Sequence, residues 1–201
     1  HIPLVYASSS AIYGNLDFGN DAIDDIELLS PYATDKYAME LYAGTANKIY
    51  QLSSVGLRFF NVYGPRQDPG SRYSGVISIF ADRLLKEQDI TINGGHQTRD
   101  FIYVSDVANI IYRAVTIASK HSICETCNVL TGKSMTIDDL AKKMMKIIDV
   151  KVRVSYKSLD IGDPEQSNGS TKKMARIFGI NPKNFTKLEN GLISTIKYIL
   201  G

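Results

Sequence analysis

The chain has 201 residues, 44% of them hydrophobic and 22% charged, with a formal net charge of +2 at pH 7. This composition is typical of a globular protein of one domain or somewhat more. The small net charge, without long runs of Lys or Arg, argues against a nucleic-acid partner. The longest apolar window, residues 104–118, is interrupted by Asp106, Asn109 and Arg113, so we expect no membrane span and a cytoplasmic location.

The amino-terminal third has the pattern of a strand, a helix and a second strand. The apolar run 3–7 is closed by three serines, which predicts a buried parallel strand that ends in a loop. Ser30 followed by Pro31 predicts the N-cap and first position of a helix that covers residues 32–50. Residues 55–61 predict the next strand. A strand–helix–strand crossover implies a parallel sheet and an α/β fold.

The remaining residues mix helices and strands less regularly. Helices are predicted at 76–86, from a Ser105–Asp106 cap to about Ser119, from Thr136, from Ser170 to Gly179, and after a capping box formed by Thr186 and Glu189. Strands are predicted at 90–92, 101–104, 127–130 and 152–154.

Cys124 and Cys127 form a C-x-x-C motif, which is compatible with half of a zinc ribbon, with a redox pair or with neither. A zinc site needs four ligands, and the sequence has no second cysteine pair. We therefore interpret the two residues as reduced thiols near a strand and predict no metal site.

Tyr32 and Lys36 stand four residues apart on the first predicted helix, so their side chains share one face. A free tyrosine has a pKa of about 10 and is a poor base at neutral pH, but a nearby ammonium favours the phenolate form. The spacing alone is weak support for a site, because helices rich in Tyr and Lys produce it by chance.

The pair lies between two further motifs, ASSSAIYG at 7–14 and LRFFNVYGP at 57–65. In this order and spacing, the three blocks resemble extended short-chain dehydrogenases, and the resemblance continues through 94–104 and 128–132. Within that family the chain is most similar to NAD-dependent nucleotide-sugar epimerases. The resemblance implies the remaining half of a Rossmann parallel sheet plus a smaller mixed α/β substrate-binding domain.

The resemblance also implies where the two domains lie. Residues 1–62 would form the carboxy-terminal part of the Rossmann NAD-binding domain, with 99–119 returning to it. Residues 63–201 would form the nucleotide-sugar domain.

Three catalytic residues follow from the resemblance. Ser9 would hydrogen-bond the sugar hydroxyl, Tyr32 would act as the general base, and Lys36 would bind the nicotinamide ribose and favour the phenolate. NAD would contact Tyr32 and Lys36 together with Ser8 and Phe59.

The implied substrate is a UDP-sugar. Asn61 would lie near its diphosphate, Arg99 would bind a phosphate, and Val76, Thr91 and Asn93 would hold the uridine. The complete set of predicted substrate contacts is Ser9, Asn61, Val76, Thr91, Asn93, Arg99, Asp163 and Ser167.

Residues beside the serine distinguish the reactions of the family. Dehydratases and decarboxylases carry an acid there, whereas this chain has Ser10 and Ala11. Elimination lacks its proton shuttle without that acid. We therefore predict 4-epimerisation of a UDP-hexose, glucose/galactose or N-acetylglucosamine/N-acetylgalactosamine, through a 4-keto intermediate, with an NDP-sugar dehydratase as an alternative.

The run 160–167 resembles the R-x-G-D segment of the family but begins with Asp160 where an arginine is usual. A carboxylate there repels a diphosphate unless Arg99 or Arg153 compensates. At Ser167 some 4-epimerases have a bulky tyrosine, so a serine leaves room for an N-acetyl group. This favours UDP-N-acetylglucosamine as a substrate.

None of the 15 glycines forms the dinucleotide-binding fingerprint. The resemblance implies that roughly a hundred residues with the phosphate-binding turn should come first, so we expect the chain alone to lack measurable epimerase activity. Two alternatives are a degenerate fragment that only binds a UDP-sugar and a non-catalytic interaction module that uses an uncovered sheet edge. Intact relatives usually dimerise through helices of the catalytic half, so we expect a homodimer.

Overall fold

The computed structural model describes residues 2–23, 25–71, 74–160 and 162–201. The elements in chain order are β1 (Leu4–Ser9), a 3-10 helix (Ser10–Tyr13), α1 (Pro31–Tyr50), β2 (Ser54–Phe59), β3 (Asn61–Tyr63), α2 (Val76–Leu85), β4 (Ile90–Asn93), β5 (Thr98–Tyr103), α3 (Val104–Lys120), β6 (Cys124–Val129), β7 (Ser134–Thr136), α4 (Ile137–Ile148), β8 (Val154–Lys157), α5 (Lys172–Phe178), a second 3-10 helix (Pro182–Asn184) and α6 (Leu188–Leu200). The predicted α/β class is confirmed.

The first sheet has the strand order β1-β2-β6, and all its pairs are parallel. The crossover predicted from the sequence is therefore confirmed, with α1 connecting β1 to β2. Helix α3 packs against β1 and β2, and together with α5 it closes an apolar core around the sheet. The register places Ser9 opposite Phe59 and Phe59 opposite Val129, so the carboxyl ends of the three strands lie along one edge.

The rest of the chain forms two smaller sheets. β3 and β5 are parallel, β7 adds to β5 in the antiparallel direction, and β4 pairs in parallel with β8. Helices α2, α4 and α6 pack with these strands around a second buried core that includes Tyr63, Phe80, Leu84, Ile90, Leu140, Met144 and Leu192.

Two predicted helix caps are wrong, and residues from both of them meet in one hydrogen bond. Helix α3 follows β5 directly, its N-cap is Tyr103, and Asp106 lies inside the first turn. The carboxylate of Asp106 accepts a hydrogen bond from the Thr186 amide over 2.9 Å. Thr186 is thereby held one residue before the N-cap of α6, which is Lys187 without a side-chain cap. A contact between positions 80 residues apart thus uses one residue from each of the two predicted caps.

Several element bounds also differ from the prediction. The strand predicted at 55–61 is interrupted at Phe60, where the chain passes from the first sheet to the second. The strand predicted at 152–154 begins at its last residue, β6 begins earlier than predicted, and α5 starts after Thr171. The caps at Ser30 and Thr136 are confirmed, since both side chains accept from amides three residues on.

Candidate active site

The carboxyl end of β1 carries the predicted catalytic serine. Ser9 is the last residue of β1 and the N-cap of the first 3-10 helix, and its Oγ accepts from the Ala11 amide over 3.1 Å. A hydroxyl also has a proton and a second lone pair. Capping therefore leaves Ser9 able to bond a ligand hydroxyl.

Helix α1 brings the predicted base and its lysine to the same strand end. The Nζ of Lys36 donates to the Ala7 carbonyl over 2.9 Å and lies 5.6 Å from the centroid of the Tyr32 ring. The Tyr32 residue is 55% exposed to solvent. The phenol and the ammonium are therefore close together beside the serine-bearing strand and accessible from solvent.

A buried polar network lies behind this group. Glu40 on α1 pairs with Arg58 on β2 over 2.6 Å. Arg58 also donates through Nη1 to the hydroxyl of Tyr13 over 2.7 Å, and that hydroxyl donates to Asn128 on β6 over 2.7 Å. The network thereby joins α1, two strands of the first sheet and the segment that follows Ser9.

The surroundings raise the pKa of two network members, for different reasons. It raises the pKa of the Tyr13 phenol to about 12, because the charged form loses hydration. Burial alone would lower the pKa of Arg58, but hydrogen bonds and charges from Glu40 and Tyr13 outweigh it, so that pKa is raised. Both groups therefore keep their neutral-pH forms, a neutral phenol and a cation.

Sequence reasoning missed this network. Its available signals were an arginine inside an otherwise apolar strand and Glu40 four residues after Lys36, on the same helical face. Neither signal identifies its partner, because the pairing depends on how α1 packs on β2.

The two additional residues predicted to bind the cofactor have different surroundings. Ser8 is buried, and its hydroxyl donates to the carboxylate of Glu40. Phe59 is half-buried at the end of β2, directly opposite Ser9. Ser8 thus faces the buried network, whereas Phe59 lies at the strand edge.

A second group of predicted residues lines a cleft of about 220 Å³. The cleft brings together six of the predicted substrate contacts with apolar walls from α2 and α4. These six residues are Asn61, Val76, Thr91, Asn93, Arg99 and Asp163.

Arg99 is held firmly in this cleft. Its Nη1 donates to the carbonyls of Thr98 and Pro164, over 2.7 and 2.8 Å, and its Nη2 lies 2.6 Å from the Asp163 carboxylate. The Arg99 side chain is 9% exposed and that of Asp163 is 44% exposed. The guanidinium is therefore fixed in position by the chain itself.

Two residues of the 160–167 run lie apart from the cleft walls. Ser167 is buried, its amide donates to Thr98 Oγ1 over 3.3 Å, and its carbonyl accepts from Ser134 over 2.5 Å. Asp160 is exposed and accepts from the side chain of Asn93 over 3.1 Å. Ile161, within the same run, lies outside the described residues.

The passage from β2 to β3 connects the two groups. Phe59 pairs with Ser9 in the first sheet, and Asn61, two residues later, lines the cleft. The catalytic candidates and the cleft are therefore joined by one short stretch of backbone.

Both cysteines are free, with Cys124 exposed and Cys127 buried. In the ranges described above, no cluster of three or more His, Cys, Asp or Glu side chains is arranged to bind a metal. None of the helices in those ranges combines the length and apolar character needed to cross a membrane.

Comparisons with known proteins agree on one family. The model of the NAD dependent epimerase/dehydratase family matches residues 1–129. UDP-glucuronate 4-epimerase 2 of Arabidopsis thaliana is 31% identical over 216 residues, which cover 98% of this chain and 48% of that protein. The chain spans about half the length of the curated relatives it matches.

Solved structures agree over almost the whole chain. The UDP-N-acetylglucosamine 4-epimerase from Methanobrevibacter ruminantium, in complex with UDP-N-acetylmuramic acid, has a TM-score of 0.90 at 32% identity and is matched over 99% of this chain and 63% of that one. The UDP-glucose 4-epimerase from Thermus thermophilus, in complex with NAD, has a TM-score of 0.86 at 33% identity over 99% of this chain and 64% of that one.

Proposed function

Because this chain belongs to the NAD dependent epimerase/dehydratase family, we propose that it provides the catalytic and substrate-binding part of a UDP-hexose 4-epimerase. The observation that carries the proposal is the position of the Lys36 ammonium, which bonds the Ala7 carbonyl two residues before Ser9 and lies beside the ring of Tyr32. One helix and one strand end thereby bring together the proposed base, an ammonium and a hydroxyl.

Each of these three side chains has a distinct task in the proposed reaction. Tyr32, as phenolate, accepts the proton of the sugar 4-hydroxyl and later returns it. Ser9 hydrogen-bonds the same hydroxyl and holds it towards the phenol. Lys36 stabilises the phenolate by its charge.

NAD, when bound, supplies the acceptor and donor of the hydride at C4. The chain's own residues fit its nicotinamide ribose, since an ammonium has three N–H donors and Lys36 commits one of them to Ala7. The half-exposed Tyr32 borders the same space. We keep Phe59 in the proposed cofactor site because it lies opposite Ser9, and Ser8 as its buried neighbour.

The cleft is proposed to hold the UDP part of the substrate. It places Thr91 and Asn93 on β4, Val76 at the start of α2, and Arg99 on β5 around one volume. Apolar walls with a few polar groups suit a uracil and ribose, and a guanidinium suits a phosphate.

We propose that the sugar is N-acetylated. The position of Ser167 carries a small side chain, and the M. ruminantium neighbour is a UDP-N-acetylglucosamine 4-epimerase. The residues that follow Ser9 are Ser10 and Ala11, which provide no acid for a dehydratase.

We retain residues 1–62, with 99–119, as the proposed Rossmann part and 63–201 as the proposed substrate-binding part.

The binding test is calorimetric titration of the chain with UDP, UDP-N-acetylglucosamine and, as a control, ADP. We expect the two uridine nucleotides to bind and ADP to give no heat. Equal heats for all three, or none for any of them, would contradict the proposed cleft.

The catalytic test compares the 201-residue chain with the native gene product, whose mass and start codon define its length. With NAD and UDP-N-acetylglucosamine, we expect no turnover by the chain alone. We expect turnover by a native product that also contains a dinucleotide-binding glycine turn. Turnover by the chain alone would refute the proposed division of the site.

A second candidate is a non-catalytic interaction module. One observation favours it, since β1 is an edge strand of its sheet in the part of the chain that the structure describes. A free edge offers unpaired backbone groups to another chain.

A homodimer through α1 is our default assembly, because Leu41, Tyr42, Ile49 and Tyr50 are exposed on it.

Light scattering over a range of concentrations separates the two forms of association. If the native chain is a dimer through α1, Leu41→Glu should lower the measured mass to that of a monomer. A dimeric mass that Leu41→Glu leaves unchanged favours association through the edge of β1.

A further inference from the structure

A second cavity, which the proposed function does not use, lies between β7 and the segment that leads into α6. Its volume is about 310 Å³, which is enough for a small organic molecule. Its walls come from β5, β7, the loop before β7 and residues 182–188. It shares none of its described lining residues with the proposed nucleotide cleft. We call it the lysine pocket, after its lining residues Lys133, Lys183 and Lys187.

The charged groups that line the lysine pocket are all positive. Its three lysines are exposed, and none of their ammoniums has a hydrogen bond or an ion pair in the described part of the chain. No Asp or Glu is among the described lining residues. An ammonium has three N–H donors and acts on a phosphate as a point charge. The three lysines are therefore available to an anion.

The apolar lining of the pocket comes from both hydrophobic cores. Phe101 belongs to the second core, and Met135 and Leu188 pack against that core. Phe185 packs against the core around the first sheet. Ligand sites often lie where two packed units meet, with apolar and aromatic walls and a few polar groups. The pocket thus combines a surface for an apolar body with cations for a negative group.

Two carboxylates fix the walls of the pocket through backbone amides. Asp100, which is fully buried, accepts from the amides of Thr131 and Lys133, over 2.8 and 2.9 Å. Asp106 accepts from the amide of Thr186 over 2.9 Å. Because both walls are held by the folded chain itself, a ligand loses little affinity to the ordering of loops.

We propose that the lysine pocket binds an organic phosphate, with its phosphate at the three ammoniums and its apolar or aromatic body on the apolar lining. The proposal goes beyond the proposed function and does not depend on it, since none of the proposed catalytic residues lines this pocket. A phosphate without an apolar body, or an apolar body without a phosphate, uses only part of the pocket. Both should therefore bind more weakly than the combined molecule.

The experiment titrates the 201-residue chain with phenyl phosphate, with inorganic phosphate and with phenol, followed by amide NMR spectra. We expect phenyl phosphate to shift the amide signals of residues 131–135 and 183–188. Inorganic phosphate should bind about tenfold more weakly, because the burial of the ring is lost. Phenol should also bind more weakly, and raised salt should weaken phenyl phosphate but not phenol.

Lysine variants test the role of the charges. Lys133→Gln, Lys183→Gln and Lys187→Gln each remove one charge and keep most of the side-chain length. We expect each to weaken the binding of phenyl phosphate about threefold, as for one exposed ion pair. The matched control is Lys120→Gln, which removes an exposed lysine at the end of α3, outside the pocket, and should leave the affinity unchanged. Thermal melts of all variants establish that they are folded.

Three results would overturn the proposal. Equal affinities for phenyl phosphate and inorganic phosphate would indicate an adventitious ion only, and equal affinities for phenyl phosphate and phenol would remove the lysines from the site. An equal loss in Lys120→Gln and the pocket variants would reduce the effect to net charge. Shifts confined to the lining residues of the nucleotide cleft would assign the phosphate to that cleft instead.

The test is independent of the proposed nucleotide cleft. The three pocket variants should bind UDP as the native chain does, because their lysines do not line that cleft. A failure of UDP to bind would contradict the proposed function and leave the lysine pocket standing, provided that phenyl phosphate still binds there.

Discussion

The guanidinium of Arg58 donates to both carboxylate oxygens of Glu40, over 2.9 Å from Nε and 2.6 Å from Nη2. The two side chains are 5% and 7% exposed. This fork ties α1 to β2, while Lys36, one turn earlier, ties α1 to β1 through Ala7. The position of Tyr32 over the strand end therefore depends on two contacts of one helix face.

Breaking the buried pair from one side should be costly. Glu40→Ala leaves the Arg58 cation without its partner, and we expect it to lower the free energy of unfolding by about 3–5 kcal/mol. Urea denaturation followed by circular dichroism measures the loss. The control is Asp82→Ala, which removes a partly exposed ion pair between α2 and its C-cap residue Lys86 and should cost only about 0.3–0.5 kcal/mol. Similar losses in the two variants would show that burial does not strengthen the dependence on Glu40.

Two helical glycines should respond oppositely to the same substitution. A Cβ at Gly191 on α6 would overlap the Tyr63 hydroxyl, whereas one at Gly44 on α1 would meet nothing within 4 Å. We expect Gly191→Ala to destabilise the fold by about 1–3 kcal/mol through overpacking. Gly44→Ala should stabilise it by about 0.5–1 kcal/mol, because alanine favours the helix. Thermal and urea unfolding of both variants test the pair, and a stabilised Gly191→Ala would contradict this packing.

Short stretches of sequence correctly predicted several helix and strand features of the fold. The N-cap Ser30, the proline after it and the parallel pairing of β1 with β2 all follow from short stretches of sequence. The contact of Asp106 with Thr186 could not be predicted in this way, because its partners meet only after α3 and α6 pack.

The candidate site also contains residues that short motifs predict and pairings that only the folded chain reveals. Ser9, Tyr32 and Lys36 could be proposed from the sequence because they belong to short motifs with fixed spacing. The partners of Arg58 and the pairing of Arg99 with Asp163 required the packed sheets, since the latter two residues are 64 positions apart.

Removing the proposed general base should affect turnover rather than binding. In a form of the protein that turns over the proposed substrate with NAD, we expect Tyr32→Phe to lower kcat by about 10²–10⁴-fold with little change in KM, since the proposed base would act mainly in the transition state. A matched control is Tyr112→Phe, the same substitution at an exposed position of α3, which should leave kcat unchanged. Equal kcat values for Tyr32→Phe and the native enzyme would remove Tyr32 from the mechanism.

The buried thiol of Cys127 should make the fold sensitive to alkali. Burial raises the pKa of this thiol from 9.0 to about 12. The unfolded chain then releases its proton first as the pH rises, so the stabilising contribution is complete below pH 9.0 and is lost as the pH approaches about 12. By about pH 10 this linkage should remove about 1.4 kcal/mol of stability.

Replacing the thiol should remove this pH dependence. We expect Cys127→Ala to be less stable at every pH, because it leaves a small cavity in the core around the first sheet. Its stability should nevertheless fall less between about pH 8 and about pH 10 than that of the native chain. Cys124→Ala, which removes an exposed thiol from the same strand, is the control and should follow the native curve. Urea unfolding at both pH values gives the slopes, and parallel slopes for Cys127→Ala and the native chain would mean that the buried thiol does not determine the alkaline loss of stability.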